Sequence, residues 1–131
     1  MKPHFFFFAL FLLPGFIFAQ SKADSLLIGK WTGTSICQVK PSGCNDEISV
    51  CYITKTKKAN TYHLVINKII NGKEEDMAAD DYLFNPADNT LFCNIEKYKV
   101  TIKLTVKGRN IDGVLLSDNK LWRVIKLKKE S

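Results

Sequence analysis

The clearest structural signal in this chain is the stretch VTIKLTVKGRNIDGVLL, which occupies residues 100–116. In its first half, aliphatic residues alternate with threonine and lysine, a period-two pattern typical of a β-strand with one dry and one wet face. A turn at residues 108–109 would place Ile102 opposite Leu115, so that the apolar side chains of two adjacent strands share one face. The stretch therefore predicts an antiparallel hairpin whose apolar face must be covered.

The same alternation continues on both sides of this hairpin, with turn residues at intervals of about 8 to 12 positions. It predicts eight strands, namely 29–39, 47–57, 62–71, an interrupted strand made of 74–77 and 81–85, 90–95, 99–107, 110–116 and 120–128. A short helical turn is predicted at 23–28, before the first strand. Because a closed barrel hides the dry face of every strand and removes exposed edges, we expect an all-β fold, an eight-stranded antiparallel up-and-down barrel.

Two hairpin registers decide which side chains enter this barrel. In the first hairpin, the expected turn places Trp31 opposite Val50. In the last hairpin, a three-residue loop at 117–119 directs one set of side chains inward, namely Leu121, Arg123, Ile125 and Leu127. A two-residue turn at 118–119 would direct Trp122 and Val124 inward instead. We favour the three-residue loop because it buries three aliphatic side chains.

Residues 1–19 have the parts of an export signal, with a basic residue at Lys2, an apolar run over 5–13 and a small residue, Ala19, at the cleavage position. The apolar run is shorter than the roughly 20 residues of a membrane-spanning helix. We therefore expect cleavage after Ala19 rather than anchoring, and a secreted or periplasmic protein. The remaining residues, 20–131, are enough for one domain with a modest core.

Composition and motifs argue against catalysis and metal binding. The chain carries 19 Lys and Arg residues against 13 Asp and Glu, and this mixed charge is typical of a soluble surface. An exported chain is not expected to bind nucleic acid. His63 is the one histidine outside the signal, and no Gly-x-Ser-x-Gly motif is present. The acidic residues of 74–81 lack EF-hand spacing, so we expect no enzyme, no metal and no cofactor.

The four cysteines suit an oxidising compartment. A turn marked by Pro41 and Gly43 would place Cys37 opposite Cys44. Cys51 lies seven residues beyond Cys44, about 23 Å along a strand, and is out of reach of Cys37. By elimination Cys51 would pair with Cys93. The same register places Cys51 on the face away from Val50, so this second bridge needs a bulge, and without it both thiols stay free.

Gly29-Lys30-Trp31 follows the predicted helical turn, and Arg123 lies inward on the last strand, next to the first strand in a closed barrel. This arrangement resembles the lipocalin-like (calycin) family. In that family a Gly-x-Trp motif packs its indole across the closed end of the barrel, and an arginine of the final strand covers the indole. The resemblance therefore implies that Gly29, Trp31 and Arg123 close one end.

Further segments are similar to small exported lipocalin-like domains of Gram-negative bacteria. These segments are Cys37-x6-Cys44 with 46–48, the run 71–77 and the closing 122–125. The likeness implies a fold and leaves the cargo open.

The predicted inward positions give the candidate ligand contacts Tyr52, Tyr62, Lys68, Tyr82 and Phe84. We expect a monomer that holds an apolar or amphipathic molecule above Trp31, with Lys68 favouring an acidic group. The alternative is a filled barrel whose 37–44 and 74–81 loops contact another envelope protein, as a non-catalytic interaction or inhibitor module. An apolar cavity above about 300 Å³ would favour the first hypothesis, and a close-packed interior the second.

Overall fold

The computed structural model describes residues 22–39 and 43–131. The predicted signal at 1–19 and its cleavage after Ala19 lie outside the described residues. The strands are β1 (Gly29–Cys37), β2 (Glu47–Lys55), β3 (Thr61–Ile70), β4 (Lys73–Asn85), β5 (Thr90–Ile95), β6 (Val100–Lys107), β7 (Asn110–Ser117) and β8 (Lys120–Lys129). A short helix covers 22–27, and a single 3₁₀ turn, Glu96–Tyr98, joins β5 to β6.

The eight strands form a closed antiparallel barrel in which each strand pairs with its neighbours in sequence and β1 pairs with β8. This confirms the predicted all-β, up-and-down barrel with a short helical segment before it. The β6–β7 hairpin has the predicted register, with Ile102 opposite Leu115. Inward side chains such as Leu104 and Ile111 are almost completely buried and form the core with those of the other strands.

The first hairpin differs from its predicted register by one residue. Trp31 pairs with Cys51, and Val50 pairs with Thr32. Because side chains alternate across a strand, this shift turns Cys51 into the barrel beside Trp31 and leaves Val50 on the outer face. Val50 is nevertheless buried.

Two β-bulges, one in β4 and one in β8, shift the pairing of these strands with their neighbours by one residue. The fourth strand is continuous through 78–80, so the predicted break there was wrong. It has a bulge instead, because Ile66 pairs with Ala78 whereas Asn67 pairs with Asp76, which leaves Met77 as the extra residue. The last hairpin has a two-residue turn at 118–119, since Ser117 pairs with Lys120, and the three-residue loop was wrong.

A second bulge lies directly after this turn. Leu115 pairs with Arg123 and Leu116 with Leu121, so Trp122 is the extra residue. The bulge restores the predicted inward set of Arg123, Ile125 and Leu127. Leu121 is 43% exposed, contrary to the prediction.

The seam between β1 and β8 depends on a residue without a side chain. A Cβ atom at Gly33 would lie 1.8 Å from the carbonyl oxygen of Lys126. Only glycine lets the two backbones approach this closely, as is common where a barrel strand bends sharply.

The cysteine prediction is half correct. Cys37 and Cys44 form a disulfide, as their places on either side of the turn indicated. Cys51 and Cys93 are free and buried, so the second bridge was wrong. Both thiols lie inside the barrel, but β3 and β4 separate their strands along the wall.

We expect Cys37→Ser to lower the free energy of unfolding by about 2 kcal/mol, because the bridge restricts the unfolded chain. Urea unfolding of the oxidised protein and of both single serine variants measures this effect. Cys44→Ser should cause the same loss, and the double variant should lose no more than either. A loss from Cys37→Ser that persists when the wild type is compared under reducing conditions would contradict this explanation.

Candidate functional site

The helix at 22–27 closes one end of the barrel. The Trp31 indole is fully buried, and its Nε1 donates a hydrogen bond to the Leu27 carbonyl at 2.9 Å. Leu27 is itself fully buried in the core. The helix is therefore fixed to the barrel by packing and by a hydrogen bond that satisfies a buried indole N–H.

Lys129, rather than Arg123, covers this indole. The Lys129 Nζ atom lies 5.7 Å from the Trp31 ring centroid and donates hydrogen bonds to the carbonyls of Ser25 and Leu26 at 2.9 and 3.1 Å. Cations are favourable both over an indole face and at the C-terminus of a helix. Burial lowers the pKa of Lys129.

The predicted closing role of Arg123 was wrong because of the register of β8. Trp31 pairs with Lys129, and Arg123 pairs with Cys37. Arg123 and Lys129 are six positions apart on that strand, about 20 Å, so the guanidinium lies near the opposite end. Gly29 adopts φ of 144°, and a Cβ there would lie 3.1 Å from the Lys129 side chain. Gly29 and Trp31 thus lie at the closed end as the resemblance implied, with Lys129 in place of Arg123.

We expect Lys129→Met to lower the free energy of unfolding by about 1–2 kcal/mol, since the cation–π contact and the bonds to the helix carbonyls are lost. The matched variant Lys128→Met changes the neighbouring, exposed side chain and should cost less than about 0.5 kcal/mol. Urea unfolding of both variants measures the difference. Equal losses would show that Lys129 does not hold the helix.

A second contact fixes the beginning of the helix. The Asp24 carboxylate accepts hydrogen bonds from Lys55 at 2.7 Å and from the Tyr62 hydroxyl. These bonds, that from Lys55 above all, lower the pKa of Asp24. Burial, aided by the Asp24 carboxylate, raises the pKa of Tyr62.

Three of the five predicted ligand contacts, Tyr62, Tyr82 and Phe84, lie in the half of the barrel that contains Trp31. Tyr62 packs edge-on against Phe84 with ring centroids 6.1 Å apart. Tyr82 pairs with Tyr62 across the β3–β4 ladder. All three rings are buried, so they fill the barrel above Trp31 where the ligand was expected.

The other two predicted ligand contacts lie elsewhere. Tyr52 is on the outer face, where its hydroxyl donates to Glu74 at 3.0 Å. Lys68 lies opposite Ser49 and Glu75 near the far end. Neither residue lines the interior cavity described next.

The barrel interior contains a cavity of about 100 Å³ in the half away from Trp31. Its lining is mostly apolar and includes Ile66, Met77, Ala78, Ile102, Leu104, Leu115, Ile125 and Leu127. Four polar residues complete the lining, namely Ser35, Glu47, Ser49 and Arg123. An apolar chamber with a few polar groups at one place is the usual form of a small-molecule site.

Among the polar residues that line the cavity, Arg123 contacts both Ser35 and Glu47. Its Nη1 donates to the Ser35 carbonyl at 3.3 Å and to the Ser35 hydroxyl at 3.2 Å, and its Nη2 donates to the Asn45 carbonyl at 3.0 Å. Nη2 also lies 3.6 Å from Oε1 of Glu47, and both side chains are largely buried. The guanidinium thus has most of its donors engaged by the protein.

Glu47 presents an unused acceptor. Its Oε2 atom is buried and has no hydrogen-bond partner among the described residues. A buried acceptor without a donor is costly, so a molecule that supplies an N–H or O–H would be stabilised here. The alternation of β2 could have pointed to Glu47, because it shares a face with Ser49 and Cys51.

Comparison with protein families and curated proteins gives no further indication of a ligand or a reaction. No protein-family model matches this chain, and no curated protein matches it. Within residues 22–39 and 43–131, no group of three or more His, Cys, Asp or Glu side chains could hold a metal ion. In the same part of the chain, no helix is long and apolar enough to cross a membrane. The closed eight-stranded barrel is consistent with the lipocalin-like fold that the resemblance implied.

Proposed function

We propose that this protein is an exported, non-catalytic binding module of lipocalin-like (calycin) type that holds a small amphipathic molecule in the cavity beside Arg123. The observation that carries the proposal is the apolar chamber with the unpartnered Oε2 of Glu47 at its polar end. The Cys37–Cys44 disulfide supports the exported location.

The volume limits the size of the ligand. The cavity of about 100 Å³ is below the roughly 300 Å³ that was expected to favour a binding module for an ordinary ligand, so the proposal is restricted to a much smaller guest. An apolar cavity of about 150 Å³ holds benzene, so we expect a guest of about four to six non-hydrogen atoms. Lipid-sized and retinoid-sized molecules are too large.

The polar residues at one end of the cavity determine which functional group a ligand can place there. Arg123 is engaged by Ser35, Asn45 and Oε1 of Glu47, which leaves Oε2 of Glu47 as the acceptor without a partner among the described residues. We therefore expect an alcohol or a primary amine, with its alkyl part against the walls formed by Leu104 and Leu127. This replaces the acidic ligand suggested by Lys68.

Ligand binding can be tested with 1-butanol, n-butylamine and butyrate as probes, with methyl NMR shifts of the lining residues as the measurement. We expect saturable shifts with the alcohol and the amine and much weaker shifts with butyrate. Glu47→Gln should weaken the amine more than the alcohol, because it removes the charge and keeps an acceptor.

A matched pair of variants on the two faces of β4 tests whether the cavity lining is the binding site. Ala78→Leu adds a side chain to the cavity lining and should abolish the shifts. Ala79→Leu makes the same change at the next residue, which is exposed and does not line the cavity, and should leave them unchanged. Absence of saturable shifts at millimolar probe, or equal effects of the two variants, would refute the proposal.

A further inference from the structure

The barrel wall is incompletely paired between β4 and β5. The ladder between these strands has three residue pairs, at Leu83 with Phe92, Phe84 with Leu91 and Asn85 with Thr90. On its other side β4 pairs with β3 along nearly its whole length. Over 73–82, β4 therefore has a partner strand on one side only among the described residues. Residues 73–79 are all exposed.

This stretch, which we call the β4 edge (73–82), presents unpaired backbone N–H and C=O groups. Such an edge can accept another strand, and proteins usually protect it with a proline, a short strand, a covering segment, a β-bulge or charged side chains. Here the bulge at Met77 and the acidic side chains restrict which strand can pair. The β4 edge contains no proline, and β4 is the longest strand of the barrel at 13 residues. Backbone hydrogen bonding along such an edge is an established mode of peptide recognition.

The charge of the β4 edge determines which strand it can accept. Five of its residues are acidic and one is basic. Glu74 is bound by Tyr52 and Asn67, and Asp81 by His63. The remaining acids, Glu75, Asp76 and Asp80, have no hydrogen-bond or ion-pair partner among the described residues, so their negative charge is available to a partner.

This charge argues against a second copy of the chain. Antiparallel pairing of two β4 edges would place carboxylates opposite or diagonal to carboxylates, which is destabilising. A strand carrying lysine or arginine would instead pair its charges with Glu75 and Asp80, which share one face of β4 because they lie opposite Lys68 and Leu64, whereas Asp76 is on the other face. At the end of the ladder, Leu83 and Phe92 are 58% and 45% exposed on the outer wall and offer an apolar contact.

We propose that the β4 edge binds an extended segment of a partner protein, one in which basic residues alternate with aliphatic residues, by strand addition. This proposal does not rest on the function proposed for the cavity, although Met77 and Ala78 of the β4 edge also line that cavity. The partner strand adds its backbone hydrogen bonds to β4, places its cations against Glu75 and Asp80 on one face and packs an aliphatic side chain on Leu83 and Phe92 on the other.

The probe for this proposal is the capped peptide Val-Lys-Val-Lys-Val-Lys-Val. Amide hydrogen exchange of the whole protein, measured by NMR, should slow at least about tenfold at the 73–82 amides that face away from β3 when the peptide is bound, because those amides gain partners. The control peptide replaces each valine with proline and keeps the charge. It should give no protection, since proline has no N–H to donate.

A matched charge pair tests the recognition. Glu75→Lys reverses a charge on the β4 edge, whereas Glu96→Lys makes the same change in the 3₁₀ turn between β5 and β6. The first should weaken peptide binding about fivefold, as expected for one exposed charge pair turned repulsive, and the second should have little effect. Binding is measured by isothermal titration.

Four outcomes would overturn the proposal. They are equal binding of the valine and proline peptides, equal effects of the two charge variants, protection in the free protein of the 73–82 amides that face away from β3, and self-association with protection of those amides. The two proposals have separate readouts, since the peptide is followed by amide exchange along the β4 edge and the small probes by methyl shifts of the cavity lining. Failure of the peptide test therefore does not contradict the small-ligand proposal.

Discussion

Trp31→Ala is expected to lower the free energy of unfolding by about 3–5 kcal/mol, the usual cost of truncating a large buried aromatic residue. The indole is fully buried, donates its N–H to the Leu27 carbonyl and lies under Lys129. Alanine at this position leaves a cavity at the closed end. It also removes the indole that the Leu27 carbonyl and the Lys129 ammonium contact. The helix at 22–27 should lose protection before the rest of the barrel unfolds.

The second tryptophan supplies the control. Trp122 is the extra residue of the β8 bulge and is partly exposed on the outer wall. Trp122→Ala should therefore cost clearly less than Trp31→Ala in urea unfolding followed by far-ultraviolet circular dichroism. Comparable losses, or an unchanged midpoint for Trp31→Ala, would mean that the closed end does not support the fold.

Alkaline pH is expected to destabilise the protein through its buried, uncharged core. Burial raises the pKa of Cys51 from 9.0 to about 12. Because the unfolded thiol ionises above pH 9 and the folded one does not, the stabilising effect is complete below pH 9 and disappears as the pH rises through 12. The full loss from this one thiol is about 4 kcal/mol, at 1.36 kcal/mol for each unit of pKa.

Other buried groups act in the same direction. Burial also raises the pKa of Cys93 and of the tyrosines Tyr62 and Tyr82. The tyrosines contribute only above about pH 10, their ordinary pKa. Stability should therefore fall in two overlapping stages, from the thiols first and the phenols second.

Urea unfolding at pH 8, 9, 10 and 11 measures this decline, with non-reducing electrophoresis to verify that the Cys37–Cys44 disulfide remains intact. Cys51→Ala should be less stable than the wild type at pH 8 but should lose less stability between pH 9 and 11. Parallel declines in the two proteins would show that Cys51 does not titrate differently in the folded state.

Local pattern explains why the strands could be predicted from sequence. Alternation along β6 and β7, together with the turn at 108–109, predicts both the strands and their partners, because one face must be dry and neighbours must share it. The inward direction of Arg123, Ile125 and Leu127 was also correct, although the turn before them was wrong. There, the bulge at Trp122 offset the shorter turn.

The candidate site was harder to predict because it depends on contacts between distant residues. A one-residue shift in the first hairpin moved Cys51 inward and left Tyr52 on the outer wall. The aromatic residues expected to line a ligand cavity instead pack against the closed end. The cavity lies in the other half, where Glu47 and Arg123 meet only after β2 and β8 have both paired with β1.

The order of hydrophobic and polar residues by itself determined that this chain forms eight antiparallel strands with one buried face, since that information is contained within each strand and its adjoining turn. Only the tertiary structure decided that Lys129 rather than Arg123 covers Trp31, that two thiols stay free and that the interior holds a small chamber. These features depend on register and on two bulges. Both are set when all strands pack around one core, where a shift of one residue changes which side chains meet.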